Sequence, residues 1–427
     1  MRSPLPKKLR KGALELLSQA EKVQRYRSDL IPPDELKAID LAVENLAAYL
    51  VDPEATENRL KALEAGLDEK LQRHGGTFHP KTSLADNIET IVVAAIVVIG
   101  IRTFFFQPFI IPTNSMYPSY SGMQVEVYAA PEEEGPGTVE QIFRTVTLGS
   151  SRLTYRAEQD GEVWLGVREE RQQNRIRFSP VVDIGRGRKW LVVPAQKQIG
   201  LLRVGSQIIE VKVPLEFADL AEVYNRAFFP DRPGFSFGEN IQQLALRQRP
   251  MVAGNGLYFF ALGKQASAGE TVLDFEILSG DALFVDRMTY HFRRPKPGDP
   301  VVFRTGKIPD LGDRYYIKRL VGTPGDVLEL RDPKLFSNGE LLEGADAFLN
   351  NYEQVEGYGG YTTLKERHLY LKEGRPMQVP PGVFFVLGDN SPNSADSRVF
   401  GFVPEKEVIG RAILIYYPFT KRWGISE

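Results

Sequence analysis

The sequence predicts a mainly β protein with an N-terminal helical segment and one transmembrane helix. Three observations support this prediction. Apolar residues recur at helical spacing over about the first eighty positions, a nearly uncharged apolar run follows, and short strands separated by Gly and Pro turns fill most of the remainder. At 427 residues the chain is too long for one ordinary core, so we expect two or three units.

Composition excludes several classes of function. The 53 Lys and Arg nearly balance the 55 Asp and Glu, which argues against a protein whose main partner is nucleic acid. The chain has no Cys, so disulfides, thiolate metal sites and cysteine nucleophiles are excluded. Its four His are scattered without metal-ligand spacing. We therefore expect neither a metal nor a cofactor.

Residues 1–80 are predicted to be helical. Leu36 to Leu50 and Leu60 to Leu71 each carry apolar residues every three or four positions, and an earlier helix is expected at Gly12 to Arg27. These helices form a small bundle that buries its own stripe, or they bind a partner as a coiled coil. The heptads are too few for a sustained coiled coil, which favours the bundle. The sequence identifies no partner.

Residues 88–109 are predicted to be a membrane anchor. The uncharged part, Thr90 to Ile101, is roughly a dozen residues long and by itself suits a buried core helix. If the Arg102 side chain extends toward the lipid headgroups, the apolar run continues to Phe109 and is long enough to cross a bilayer. The run begins too far from Met1 for a cleavable secretory signal. A single uncleaved anchor is therefore favoured over a soluble core helix.

The distribution of basic residues predicts the orientation of this anchor. Lys70, Arg73 and Lys81 precede it, whereas the next basic residue after Arg102 is Arg144. Positive charge accumulates on the cytoplasmic side of membrane helices. The helical region is therefore expected in the cytoplasm, with everything from residue 107 onward on the outer face of the cytoplasmic membrane.

Residues 122–274 are predicted to be a separate β-rich module. A loop at Pro131 to Gly137 precedes segments of alternating polarity, and Asp160-Gly161 is a hairpin turn signal. One helix is expected at Phe217 to Phe229. We find no chemical motif in this module.

The region from residue 275 to residue 427 is predicted to be a curled antiparallel sheet or barrel. Its strands are short, are separated by Gly and Pro turns, and have no long helices between them. The predicted strands are ALFVD, PVVFR, YYIKRLVG, DVLEL, VFFVLGDN and RAILIYYP.

Ser115 is the first candidate for chemistry. It lies in a loop bounded by Ile111-Pro112 and Tyr117-Pro118, where a Ser is most often a simple turn residue. A Ser nucleophile needs a base, and no His occurs in the turn-rich motifs. Lys replaces His as the base in some serine enzymes, and Lys318 is the candidate.

Lys318 is expected on a strand with apolar neighbours. The strand period of two places Tyr316, Lys318 and Leu320 on one face and Arg319 on the other. A base that works near neutral pH needs its pKa lowered by about two units from ~10.4, which costs about 3 kcal/mol. The fold must supply this energy through burial. Arg319 is expected to anchor a loop or a carboxylate.

The polar loop Gly388 to Arg398 is the third candidate segment. Its small hydroxyl residues, Ser394 among them, are suited to hydrogen bonding a buried amine. Asp396 has two candidate partners for an ion pair, Arg398 and Arg319. The alternative is a surface loop whose hydrogen bonds are internal.

Four sequence blocks together resemble a known family. After the apolar anchor come FFQPFIIPTNSMYPS, SGDALFVDRMTYHFRRPKPGDPVVF, YYIKRLVGTPGD and GDNSPNSADSRVFGFVP. In this order they resemble the bacterial type I signal peptidases, which are membrane-anchored Ser/Lys endopeptidases. The blocks cover well under half of the chain. The resemblance implies that residues 110–121 and 275–427 form the catalytic β domain and that 122–274 is an insertion.

The resemblance also implies roles for individual residues. Ser115 would be the nucleophile and Lys318 the general base, with Ser394 orienting Lys318. Thr113 matches a small hydroxyl residue that contributes to the oxyanion hole beside the Ser115 N–H.

Three further positions match supporting residues of the family. Asp396 and Arg398 would form a structural pair, and Arg319 would support the site. The chain departs from the family where Asn114 replaces a Gly and where Ser391-Pro392 replaces a charged pair.

The activity implied by the resemblance is removal of signal peptides from secretory preproteins. The substrate would bind as an added β-strand, with small residues selected before the scissile bond, close to membrane lipid. Two alternatives remain open at this point. One is a Ser/Lys self-cleaving protease of the SOS-repressor type, and the other is an inactive membrane-tethered β scaffold that binds envelope partners.

Overall fold

The computed structural model describes residues 5–80, 83–128, 135–172, 175–189, 193–363 and 369–426. The chain forms two compact units, Met1–Gly100 and Ile101–Glu427. Lys81, used above for the orientation, and residues 131–134 of the predicted loop lie outside the described residues.

The helices of the described chain are α1 (Lys7–Arg27), α2 (Pro33–Leu50), α3 (Glu57–His74), α4 (Ser83–Phe104), α5 (Thr138–Leu148), α6 (Leu220–Phe228), α7 (Phe237–Arg247), α8 (Thr289–Phe292), α9 (Asp346–Glu353) and α10 (Ser397–Phe400). The strands are β1 (Phe106–Ile110), β2 (Gln124–Tyr128), β3 (Ser151–Arg156), β4 (Gly161–Gln172), β5 (Arg175–Ser179), β6 (Asp183–Lys189), β7 (Val193–Val204), β8 (Gln207–Pro214), β9 (Met251–Gly254), β10 (Leu257–Ala266), β11 (Thr271–Leu278), β12 (Ala282–Asp286), β13 (Pro300–Arg304), β14 (Tyr315–Gly322), β15 (Val327–Arg331), β16 (Lys334–Ser337), β17 (Glu340–Leu341), β18 (Met377–Gln378), β19 (Val383–Leu387), β20 (Val403–Pro404), β21 (Val408–Tyr417) and β22 (Gly424–Ile425).

Helices α1, α2 and α3 pack on one another in the first unit. Their apolar stripe is buried within the bundle, including Ile39, Leu46, Leu60 and Leu67, each with 0 % exposure. Burying this stripe provides most of the stability of such short helices. The helices therefore cover their own apolar faces, as the bundle interpretation expects.

Helix α4 contains an apolar window long enough to cross a membrane. The window Asn87–Phe104 has 18 residues and a mean hydropathy of 1.8. The bounds of the membrane anchor stay a prediction, but the helix itself ends at Phe104, before residue 109. Pro108 provides the reason, because its ring would clash with the carbonyl of residue 104 in a continuing helix, and it has no N–H to donate. The next residues form β1, which pairs with β12.

The second unit is built on a curled antiparallel sheet, which confirms the predicted mainly β fold class. Its strand order is β1-β12-β21-β13-β14-β19-β20, with β22 added to β21. The strands come from both sides of the predicted insertion. A four-stranded sheet, β17-β16-β15-β18, adjoins this region in sequence.

The two ends of the predicted insertion meet on this sheet. Ser121 N–H donates to the Asp281 carboxylate at 2.7 Å, and Asp281 N–H donates to the Ser121 carbonyl at 2.8 Å. A methyl group on Gly280 would overlap the Ile111 carbonyl oxygen, so Gly is required for this close approach. A long segment that leaves and returns at one point does not disturb the register of the sheet.

The described residues between Ser121 and Asp281 form two further sheets. One has the order β2-β11-β3, and the other has seven strands in the order β6-β7-β4-β10-β9, with β5 paired to β4 and β8 paired to β7. Residues on both sides of Asp160-Gly161 belong to different sheets, so the predicted hairpin is wrong. Strand β11 extends beyond the predicted boundary at residue 274. The division of the second unit into a catalytic and an inserted domain stays a prediction, because Ile101–Glu427 forms one compact unit.

The described part of this segment contains three α-helices, α5, α6 and α7. The one predicted is observed as α6, whereas α5 and α7 were not predicted. Helix α7 begins with a capping box in which Ser236 and Glu239 hydrogen bond each other's backbone N–H groups. This S-x-x-E pattern is a sequence signal for a helix start.

Candidate active site

The loop that carries Ser115 is held at both ends by buried apolar residues. Ile111 is 4 % exposed and Met116 is 0 % exposed, and both belong to a core cluster beneath the main sheet. Between them, Asn114–Met116 form one turn of 3₁₀ helix. Ser115 is half-buried. The burial of Met116 fixes the turn, so the neighbouring Ser115 side chain is held near strand β14.

Lys318 lies on β14 and reaches this turn. Its Nζ atom is 2.6 Å from Ser115 Oγ and donates to the Ile317 carbonyl at 2.9 Å. The residue is 4 % exposed. Burial lowers the pKa of Lys318 to about 8, although the negative charges of Asp396 and Asp389 act to raise it. A Lys with this pKa is neutral in a substantial fraction of molecules near pH 8 and can accept a proton.

Arg319 is buried on the opposite side of the strand and binds Asp389. Its guanidinium donates to the two carboxylate oxygens at 2.6–3.1 Å and to the Gly298 carbonyl at 2.7 Å. Ser119 Oγ donates to the same carboxylate at 2.5 Å. Arg319 therefore anchors a carboxylate, but the carboxylate is that of Asp389 and not that of Asp396.

Arg398 pairs with Asp396, and neither side chain is exposed. The guanidinium donates to both carboxylate oxygens at 2.7 and 2.9 Å and to the Ser391 hydroxyl at 2.6 Å. It also donates to two backbone carbonyls, those of Thr362 and Ser391. Burial alone would raise the pKa of Asp396, but the charge and hydrogen bonds of Arg398 lower it.

Ser391 stands where the family has a charged residue, and its contacts explain the replacement. Its hydroxyl accepts from Arg398 and from the Thr362 N–H at 3.1 Å. A small hydroxyl therefore meets two buried donors at this position. No charged side chain is needed there.

The loop that begins at Gly388 is also hydrogen bonded to the turn that contains Ser115. The Asn390 backbone N–H donates to the Ser115 carbonyl at 3.2 Å, and its side-chain amide donates to the Asn114 carbonyl at 2.9 Å. A methyl group on Gly388 would overlap the Ser115 carbonyl oxygen and the Ser394 hydroxyl. Gly388 thus permits the close approach of the two loops.

Asn114 replaces the Gly of the family without backbone strain. It lies in a right-handed 3₁₀ turn, where φ is negative, so its conformation does not require Gly. Its side-chain oxygen accepts the Gly122 N–H at 2.9 Å. Asn114 therefore ties the turn of Ser115 to the point where the chain leaves for the insertion.

Ser394 lacks the hydrogen bond that was predicted for it, and the contacts of Thr113 do not test its predicted role. Ser394 Oγ is buried and forms no hydrogen bond to Lys318, so the predicted orienting bond is not present. Lys318 Nζ is directed at Ser115 and at its own strand instead. Thr113 precedes the 3₁₀ turn, is exposed, and its hydroxyl does not cap the turn. Its role at an oxyanion hole stays a prediction.

Three supporting residues were missed from the sequence, namely Asp389, Asn390 and Ser119. The Asp389 carboxylate is 0 % exposed and ion-paired with Arg319. A buried Arg on a central strand needs a carboxylate, and this requirement is the signal that was available. Among the described residues, no cluster of His, Asp or Glu is arranged to hold a metal ion.

Comparison with known proteins identifies the family. The family model "Signal peptidase, peptidase S26" matches residues 263–417. A signal peptidase I from Bacillus caldolyticus is 35 % identical over 146 residues, which is 34 % of this chain and 73 % of that protein. The chain belongs to the signal peptidase family. The residues that the family model matches include Lys318 and the loop from Gly388 to Arg398, whereas Ser115 lies before residue 263.

Other members of the signal peptidase family also match. A probable signal peptidase I-1 from Synechocystis is 34 % identical over 34 % of this chain, and the match spans 66 % of that relative. The solved structure of a signal peptidase I from Enterococcus faecalis is 34 % identical, covers 28 % of this chain and 97 % of its own, and has a TM-score of 0.22.

Arg398→Met is expected to destabilise the second unit strongly. The substitution leaves the Asp396 carboxylate buried without its partner, which costs about 3–5 kcal/mol. Arg304→Met is the control, because the Arg304–Asp313 pair is 51 % and 53 % exposed and surface pairs contribute about 0–1 kcal/mol. Urea unfolding of the purified proteins in detergent measures both changes. Equal losses of unfolding free energy would contradict the buried-pair interpretation.

Proposed function

We propose that this chain is a membrane-anchored serine endopeptidase that removes signal peptides from secretory preproteins. The observation that supports the proposal most directly is the 2.6 Å separation of Lys318 Nζ and Ser115 Oγ, in a site where burial lowers the pKa of the lysine. Membership in the signal peptidase family gives the substrate class. Ser115 is the proposed nucleophile and Lys318 the proposed general base.

Acylation begins when neutral Lys318 accepts the Ser115 hydroxyl proton. The Ser115 oxygen then attacks the carbonyl carbon of the scissile peptide bond, and a tetrahedral intermediate forms. The Lys318 ammonium returns the proton to the departing amine as the carbon–nitrogen bond breaks. Lys318 next takes a proton from a water molecule as its oxygen attacks the Ser115 ester, and a second tetrahedral intermediate forms. Lys318 then returns this proton to the Ser115 oxygen as the carbon–oxygen bond breaks, and the signal peptide leaves as a carboxylic acid that ionises in solution.

The oxyanion of the intermediate needs hydrogen-bond donors. The proposed donors are the Ser115 backbone N–H and the exposed Thr113 hydroxyl, which makes no capping bond. Asn390 and Asn114 hold the turn that contains the Ser115 N–H, and Thr113 directly precedes this turn. The role of Ser394 in orienting Lys318 stays a prediction, because its buried hydroxyl forms no hydrogen bond to Lys318 in this structure.

The substrate is proposed to bind as an extended strand between β1 and β14. Strand β14 pairs with β19 only from Arg319 onward, so the second edge of Tyr315–Lys318 has no strand partner in the described structure. Phe109 on β1 contacts Tyr315 across this gap, with ring centroids 5.1 Å apart. A free strand edge beside a nucleophile suits β-strand addition of a peptide.

The proposed location is the cytoplasmic membrane, with one span, the N-terminus in the cytoplasm and the catalytic region on the outer face. Helix α4 supplies an apolar window of sufficient length. Lys70 and Arg73 lie on the N-terminal side of this helix, and such basic residues are typical of the cytoplasmic side of a membrane helix. The bilayer would then hold the precursor and the enzyme at the same surface.

Ser115→Ala and Lys318→Met are each expected to lower preprotein cleavage by several orders of magnitude, because each removes one member of the dyad. The control is Lys334→Met, which changes an exposed lysine on β16. Cleavage of a secretory precursor by the purified full chain in detergent measures the effect. Retained cleavage in either dyad variant would exclude that residue from the reaction, and no cleavage by the unmodified chain would favour an inactive scaffold.

Activity is expected to depend on the charge of Lys318. Below the pKa of about 8 the amine is an ammonium and cannot accept the Ser115 proton. The value of kcat/KM is therefore expected to rise about tenfold per pH unit at lower pH and to level off above the pKa. A pH profile of precursor cleavage checks this expectation. A profile that is flat across this range would contradict a lysine base.

Asn114→Ala is expected to lower kcat roughly tenfold with little change in KM, because the turn of the nucleophile loses its bond to Gly122. Steady-state kinetics on a precursor peptide separate the two constants. The unfolding midpoint of the variant is the control for a general loss of structure. An unchanged kcat would show that the turn keeps its position without this bond.

A further inference from the structure

Helix α5 in the inserted segment turns its polar face toward the protein. Gln141 and Arg144 each donate to the Glu276 carboxylate at 2.9 Å, and Glu276 on β11 has 0 % exposure. Arg144 also pairs with Glu126 on the neighbouring strand. The Gln141 amide and the Arg144 guanidinium therefore join this helix to the sheet through partly buried hydrogen bonds to a buried carboxylate.

The opposite face of α5 is apolar and exposed. At 100° per residue, four of its five apolar residues lie on one stripe directly across the helix from Gln141 and Arg144, and Leu148 lies on the Gln141 side. We call this the outer stripe, and its exposures range from 62 % to 83 %: Val139, Ile142, Phe143 and Val146. A helix on a water-soluble domain normally buries such a stripe against the core. The reversed polarity of α5 indicates an apolar environment outside the protein.

Exposed aromatic residues continue this surface at the end of the main sheet. The Tyr417 hydroxyl donates to the Thr145 and Val146 carbonyls of α5 at 3.2 Å. Phe419 and Trp423 follow, 59 % and 56 % exposed, with ring centroids 6.4 Å apart. The exposed Lys421 lies between them in sequence. Trp and Lys are typical of the interface between lipid tails and headgroups.

The main sheet connects this surface to the end of α4. Ile425, which is 87 % exposed, pairs with Leu414, which pairs with Phe284 on β12, which in turn pairs with Pro108 on β1. Paired residues on neighbouring strands point to the same face of a sheet. An apolar row therefore runs from the C-terminal strand to β1.

Strand β1 begins two residues after α4 ends. The residues at this junction are also apolar and exposed: Phe104 at 66 %, Phe105 at 46 % and Phe106 at 42 %. Exposed apolar surface is thus present at the end of the anchor, along the paired row and on α5. Isolated exposed apolar residues are ordinary, but a continuous surface of this kind marks a binding site.

We propose that α5 is an interfacial helix that lays its outer stripe into the surface of the bilayer crossed by α4. The occupant is lipid at the boundary between headgroups and acyl chains, with Phe419 and Trp423 entering beside it. This inference rests on the membrane anchorage proposed above and not on the cleavage reaction. It gives the inserted segment a role, because a second contact with the bilayer fixes the tilt of the unit that carries Ser115.

The absence of Cys from the chain allows a direct test with single labelled sites. Phe143→Cys and Val146→Cys in the full chain each receive a polarity-sensitive fluorophore, and the protein is reconstituted in phosphatidylethanolamine and phosphatidylglycerol vesicles. Leu246→Cys is the matched control, since Leu246 is an apolar residue of α7 that is 80 % exposed. Ile96→Cys in α4 reports on the anchor itself.

Lipids with a shallow nitroxide are expected to quench most of the fluorescence at positions 143 and 146 and little of that at 246. Aqueous iodide is expected to give the reverse order. Glu140→Cys, which lies about 100° around the helix from Val139, is expected to show intermediate quenching. The variation around the helix distinguishes an inserted stripe from general proximity to the membrane.

Three results would overturn the proposal. In the first, positions 143 and 246 respond equally to iodide and neither responds to lipid. In the second, position 143 is shielded from both quenchers in proportion to protein concentration, which indicates a second copy of the chain as the occupant. In the third, position 96 is not quenched by deep nitroxide lipids, so the anchorage fails together with this inference. Precursor cleavage, measured separately in detergent, is independent of all three.

Discussion

The cost of keeping an amine out of water is the constraint on which the site depends. Burial lowers the pKa of Lys318, but Asp389 and Asp396 lie near enough to raise it. Each carboxylate is paired with its own arginine, Arg319 or Arg398. These pairs offset the negative charges that would otherwise hold the lysine as an ammonium. The two buried ion pairs therefore serve the proposed chemistry as well as the packing of the loop.

The loop from Gly388 to Arg398 joins the two halves of the site. Its first residues contact the Ser115 turn through backbone and amide hydrogen bonds, and its last residue pairs with Asp396. The loop thus holds the turn of Ser115, the proposed nucleophile, through its first residues, and its Asp389 and Asp396 carboxylates act on the pKa of Lys318, the proposed base. Asn114 adds a tie to Gly122 on the far side of the turn. With Asn in place of Gly at position 114, the backbone has less conformational freedom, and the side chain accepts a hydrogen bond from Gly122.

The inserted segment is compatible with this site because its ends meet. The reciprocal bonds between Ser121 and Asp281 close the segment at the edge of the main sheet. Strand β1 consequently pairs with β12 although about 170 residues separate them in the chain. The same segment carries α5, whose polar face covers the buried Glu276. Its outer stripe remains available for the bilayer.

The sequence by itself determined the local periodicities and the residue types available for chemistry. It predicted the helical bundle, the apolar run, the curled β region, and Ser115 and Lys318 as candidates, because helix and strand periods are local properties. Tertiary structure decided that Arg319 pairs with Asp389, that Ser394 forms no hydrogen bond to Lys318, and that α5 faces outward with its apolar stripe. Partner choice depends on distances between segments that are far apart in the chain, and a one-dimensional pattern does not contain those distances.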